Sequence, residues 1–291
     1  MNDIGTPEPT VDDGLTIQHD PFPANDEGEA RRIPHLGHVA ALFGVIALSM
    51  LISFALFSLL TRGRPLLKEN TVVQLALEAF IYVLTLAISF RVFPLFWKRS
   101  FLSGVEWNLL ALRRNWPRLL AAGIVLCTAS QFAERFINLP KDTEVDHVFS
   151  TQGGAWAALF LGVLLAPLCE EILFRGFLLP AFATAYDWLS LDRTPAGLER
   201  WRTSTAHTSA AKVFGALLSS LLFALLHAPQ LKYAWGAVAI IFCVGLVLAL
   251  VRLRTHSLSA STLVHMTYNG TIFAVMLVVT HGFRHLDRLN S

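Results

Sequence analysis

Seven apolar stretches, each about as long as a bilayer is thick, decide what this chain can fold into. A helix crosses hydrocarbon in ~20 residues. The stretches run approximately His38–Leu60, Val72–Phe96, Trp116–Ile137, Gly154 to Leu189, Lys212–Pro229, Tyr233–Val251 and Leu258–Thr280. They predict an all-α fold, a polytopic transmembrane helix bundle of about seven to eight spans with a disordered N-terminal tail. Composition agrees. The chain is 54% hydrophobic and only 15% charged, with mean hydropathy +0.53, where a soluble domain carries roughly 25% charge. A net charge of +2 gives no reason to expect nucleic acid as a partner. The fourth stretch is too long to lie straight, so Pro180 is expected to kink or end it. An eighth, partial span is sought in Phe101–Leu112 or after Pro180.

Two domains follow. Residues 1–34 hold eight acidic side chains against Arg31 and Arg32, with five prolines, and are expected to be a disordered acidic tail. They lack the basic start and short apolar core of a secretory signal. Residues 35–285 form the transmembrane helical domain. The Lys and Arg of alternate loops favour a cytoplasmic N-terminus. Most tryptophans sit near span ends, as an aromatic belt would place them. Asp187–Ala211 is the one long polar connection, a lid or a surface loop, in which Leu198–Trp201 is expected to form a short interfacial helix. Cys127, Cys169 and Cys243 lie in apolar runs without metal spacing and read as small core residues.

Ionisable groups at membrane depth are expensive and usually mark function. The stretch from Ala166 to Pro180 holds Glu170, Glu171 and Arg175. Glu171 and Arg175 are four apart, share a helical face and can pair. Glu170 is turned about 100° away and has no in-register partner, which suits an acid/base role. An Arg–Glu–Glu packing network accounts for the same residues. The fifth stretch places Phe223 and His227 on one face, either a functional pair or a histidine at a helix end. The seventh places His265 and Asn269 on one stripe, where they need interior partners, whether for chemistry or as interhelical hydrogen-bond glue. Ideal helical rise puts His227 far along its span and His265 near the start of its own. They meet only if the spans are tilted or offset, or if the fifth continues past Pro229.

Glu-Glu-x-x-x-Arg, Phe-x-x-x-His and His-x-x-x-Asn, in that order and each in an apolar span, resemble the CPBP family of intramembrane proteases, also called the type-II CAAX protease and bacteriocin-processing (Abi) family. The resemblance covers roughly residues 150–275, the CAAX-protease-like core. It implies an intramembrane endopeptidase of glutamic type acting on a membrane-embedded or lipidated peptide, with prenylated CAAX-type substrates among the candidates. It implies Glu170 as general base, His227 as the group that positions the water, and His265 and Asn269 as oxyanion donors. Glu171 and Arg175, with Phe223, would support the site. No cofactor is required. A zinc-dependent version of the same protease is the alternative, since Glu170, His227 and His265 make a zinc set with an open position. There is no His-Glu-x-x-His element, and the only separate base near by is Glu171, which Arg175 occupies. A non-proteolytic membrane scaffold and a proton-relay transporter are the other classes. The compact polar set argues against the transporter. The implied location is a bacterial cytoplasmic (inner) membrane.

Overall fold

The structure, a computed structural model, describes residues 32–137 and 148–289. The tail expected at 1–34 therefore lies outside the described residues up to residue 31. Among the described residues the secondary structure is helical, with no strand. In chain order the principal helices are α1 (Leu36–Leu60), α2 (Thr71–Trp97), α3 (Leu109–Glu134), α4 (Gln152–Leu189), the short α5 (Pro195–Thr203), α6 (Ser209–His227), α7 (Trp235–Thr255) and α8 (Leu258–Val279). All but α5 are of spanning length. Six of them, α1, α2, α4, α6, α7 and α8, are long and apolar enough to cross a membrane. The protein is an integral membrane protein built as a polytopic α-helical bundle. Arg113, Arg114 and Arg118 in the first turns of α3 set that helix apart from the six.

Polar caps start these helices. Asn70, Asn108, Thr208 and Ser257 accept from the first free backbone N–H groups of α2, α3, α6 and α8. The starts of α3 and α8 are tied together. Ser257 and Ser259 Oγ donate to the Asn108 carbonyl at 2.8 and 3.0 Å, and the Leu258 N–H donates to the Glu106 carbonyl at 2.9 Å. From there the two helices run side by side. A Cβ on Gly123 would fall 2.6 Å from Thr267 Cβ and 2.8 Å from the Val264 carbonyl oxygen, so the residue must be glycine for α3 to approach the helix that carries His265. Gly123→Val is expected to cost about 1–3 kcal/mol through overpacking, read as a lower thermal unfolding midpoint in detergent.

Two expectations need correction. Phe101–Gly104 is a single helical turn, and Leu109 onward belongs to α3, so no partial span is hidden there. Nor does Pro180 end the fourth span, because α4 runs unbroken through it to Leu189. The reason lies in two wide turns. Leu161–Leu165 and Ile172–Leu178 are π-helical, and each ends two residues before a proline, Pro167 and Pro180. The Ala166 N–H reaches back to the Leu161 carbonyl and the Leu179 N–H to the Phe174 carbonyl. This i→i+5 pattern absorbs a proline that would break an α-helical ladder. Glu170 and Glu171 close the six-residue α-helical stretch between the two π segments.

The main core lies beside this segment. Phe93 and Trp97 of α2 and Phe101 after it are buried with Phe177 of α4, the Phe93 and Phe177 rings 4.8 Å apart. The short helix expected around Leu198–Trp201 is present as α5. Its neck is closed by Asp187, which accepts from Thr208 Oγ1 at 2.6 Å and pairs with His207 Nδ1 at 2.8 Å. Arg32 donates to the Trp201 carbonyl at 2.5 Å and lies over the Trp201 ring. Burial lowers the pKa of Arg32, against the pull of Asp187. These contacts tie the 187–211 connection to the start of the transmembrane domain.

Candidate active site

Glu171 and Arg175 form the floor of the site. Both side chains are fully buried, with Nη1 2.9 Å from Glu171 Oε1. The other guanidinium arm donates to the Gly245 carbonyl of α7 at 2.8 Å. A side chain on Gly245 would meet Arg175 Nη2 and the Phe223 ring, each at 3.3 Å, so glycine is what lets α7 come close enough to offer that carbonyl. The Phe223 ring lies 4.6 Å under the Arg175 guanidinium. It also lies 4.7 Å from the His227 ring and 5.7 Å from the His265 ring. One buried phenylalanine thus spaces the cation from both imidazoles.

Each imidazole is oriented by its Nδ1. In His227, Nδ1 lies 2.8 Å from the Phe223 carbonyl, which only accepts, so Nδ1 carries the proton. His265 Nδ1 lies 3.2 Å from Glu171 Oε1, and the carboxylate imposes the same assignment. Both Nε2 atoms then turn to Glu170. His227 Nε2 is 4.0 Å from Glu170 Oε1, and His265 Nε2 is 3.6 Å from Glu170 Oε2. These separations exceed a direct hydrogen bond. Glu170 is 19% exposed, so the cluster has a buried floor and an open carboxylate.

The two histidines meet in spite of their different depths. After α6 the backbone keeps turning past Pro229, with Leu231 N–H bonded to the His227 carbonyl and Tyr233 N–H to the Ala228 carbonyl, before α7 begins. The His227 ring also folds back one turn onto Phe223, the direction a helical side chain takes. Asn269 is one turn beyond His265 on α8. Its Nδ2 donates to the Gly162 carbonyl in the first π segment at 2.7 Å, so one of its two amide hydrogens is engaged within the protein.

Sequence reasoning left Glu78 and Tyr82 of α2 out of the site. Tyr82 Oη donates to Glu78 Oε1 at 3.1 Å, and both lie within electrostatic reach of Glu170. Their four-residue spacing in an apolar span is the same signal that singled out His265 and Asn269. Among the described residues no group of three or more His, Cys, Asp or Glu side chains is arranged to hold a metal ion. Glu170, His227 and His265 are brought together as neighbours.

A charged pair clasped inside a membrane bundle, with a carboxylate and two imidazoles set over it, defines a polar intramembrane site. The family model described as "Type II CAAX prenyl endopeptidase Rce1-like" matches residues 152–271, a stretch that holds all seven residues from Glu170 to Asn269 named from the sequence. An Rce1-like domain is thus matched over this part of the chain, in agreement with the family its three motifs resemble. An uncharacterized 24.3 kDa protein of Escherichia coli is 33% identical over 112 residues, 38% of this chain and 41% of that one. The chain thus aligns with less than half the length of this curated relative. No solved structure matches.

Proposed function

We propose that the protein is an intramembrane endopeptidase of the bacterial cytoplasmic membrane that hydrolyses membrane-embedded or lipidated peptides, with Glu170 as its base. The observation that carries this reading is the convergence of two imidazole Nε2 atoms on the Glu170 carboxylate, inside the Rce1-like segment. A water between Glu170 and His227 Nε2 gives its proton to Glu170, and the hydroxide adds to the scissile carbonyl. The new alkoxide accepts from His265 Nε2–H when that ring, held by Glu171, carries its second proton, and from the remaining Asn269 amide hydrogen. The C–N bond breaks as Glu170 passes its proton to the departing amine, which leaves a free acid and a free amine. Glu171 and Arg175 hold His265 in place and do not touch the substrate.

The test is direct. Purified full-length protein is incubated with a library of prenylated and acylated peptides, and the products are read by mass spectrometry. A single internal cleavage that depends on the lipid is expected. No cleavage of any peptide in any detergent or bilayer would favour the non-proteolytic scaffold. Addition of 1,10-phenanthroline to an active preparation is expected to leave the rate unchanged, since in this mechanism Glu170 activates the water without a metal. Loss of activity that zinc restores would instead establish the zinc-dependent version.

A further inference from the structure

The Asn269–Gly162 hydrogen bond exists because of a proline. In an α-helix the Gly162 carbonyl would accept from the Ala166 N–H, but in the π segment that N–H is bonded to the Leu161 carbonyl. The next donor in the i→i+5 pattern would be residue 167, which is Pro167 and has no N–H. A carbonyl without a donor in a packed bundle is costly, and the Asn269 amide satisfies it at 2.7 Å. The two elements lie flush at this point. A Cβ on Gly162 would be 3.2 Å from the Phe273 ring, and one on Gly270 would be 3.5 Å from Val163. Both carriers of the proposed chemistry extend from this contact, since Glu170 is on the segment that follows Pro167 and His265 is one turn before Asn269 on α8.

We propose that Pro167 is a positioning residue for Asn269. By withholding an N–H it reserves the Gly162 carbonyl for the Asn269 amide, which fixes the orientation of that amide and the setting of α8 against the helix that carries Glu170. This rests on reading Glu170, His265 and Asn269 as a hydrolytic site, so its test has one arm that does not depend on activity.

The experiment is a double-mutant cycle of Pro167→Ala and Asn269→Ala in the detergent-solubilised full chain. In thermal unfolding, Asn269→Ala lowers the midpoint by orphaning the Gly162 carbonyl. Pro167→Ala restores an N–H and leaves the midpoint at or above wild type, and the double variant is more stable than Asn269→Ala alone. With a lipidated reporter peptide, Pro167→Ala lowers kcat roughly five- to tenfold, the loss of about one net hydrogen bond, at unchanged KM. The double variant has the kcat of Asn269→Ala, because Pro167 acts only through that amide. A Pro167→Ala protein that fails to fold, or whose kcat stays within about twofold of wild type, overturns the proposal. So does a double variant no more stable than Asn269→Ala, or one whose kcat losses multiply. If the wild type cleaves nothing, the hydrolytic reading fails by its own test, and the unfolding cycle still decides whether proline and asparagine share one carbonyl.

Discussion

Glu170→Gln will leave a folded protein that has lost cleavage activity by at least about a thousandfold, within the range a positioned general base contributes. The amide keeps the shape of the carboxylate and cannot take the proton from water. Stability changes little for a stated reason. Glu170 makes no contact shorter than 3.6 Å to either imidazole, and it is the exposed member of the glutamate pair. His227→Ala is expected to fall less far, because it removes the group that aims the water and leaves the base. Initial rates on one lipidated peptide, with unfolding midpoints measured on the same preparations, check both. A Glu170→Gln protein within tenfold of wild type would remove Glu170 from the mechanism. A large drop in its midpoint would return it to the packing network that the sequence alone also allowed.

The difference between the two glutamates was legible in the sequence because helical period is local. Four residues separate Glu171 from Arg175, and their ion pair follows from that spacing alone. The third partner of the pair was not legible, since the Gly245 carbonyl is 70 residues away and carries no side-chain signature. Apolar length likewise located the six candidate spans and the long helix α3, whose arginines dilute its average. What sequence could not supply was backbone register. A proline usually kinks or stops an α-helix, so Pro180 read as a kink or an end. The π turns that accommodate Pro167 and Pro180 are made by the ladder itself and leave no residue pattern. The same blindness hid the Gly162 carbonyl, and with it the partner of Asn269. It also hid the depth at which His227 and His265 meet, which depends on turns past Pro229 and on one imidazole folding back.

Arg175→Ala is the substitution expected to damage the fold most. It leaves the Glu171 carboxylate fully buried without its cation and the Gly245 carbonyl without its donor. Breaking a buried pair from one side costs about 3–5 kcal/mol, because the remaining charge is uncompensated. That is a large part of what holds a typical domain folded. Arg175→Lys will not rescue it. One ammonium on a flexible stem cannot reproduce the two-armed reach to Glu171 and Gly245, nor the flat contact with the Phe223 ring. Replacing both members with apolar residues, as in Glu171→Leu/Arg175→Met, should recover most of the lost stability, since a buried pair gives little net stabilisation over well-packed hydrocarbon. Activity should not return with it. His265 Nδ1 would have lost the carboxylate that directs Nε2 toward Glu170. Unfolding midpoints and initial rates across the three variants separate these effects. A double variant that is stable and as active as wild type would show that Glu171 does nothing for His265, and the division of the glutamate pair into clasp and base would fall with it.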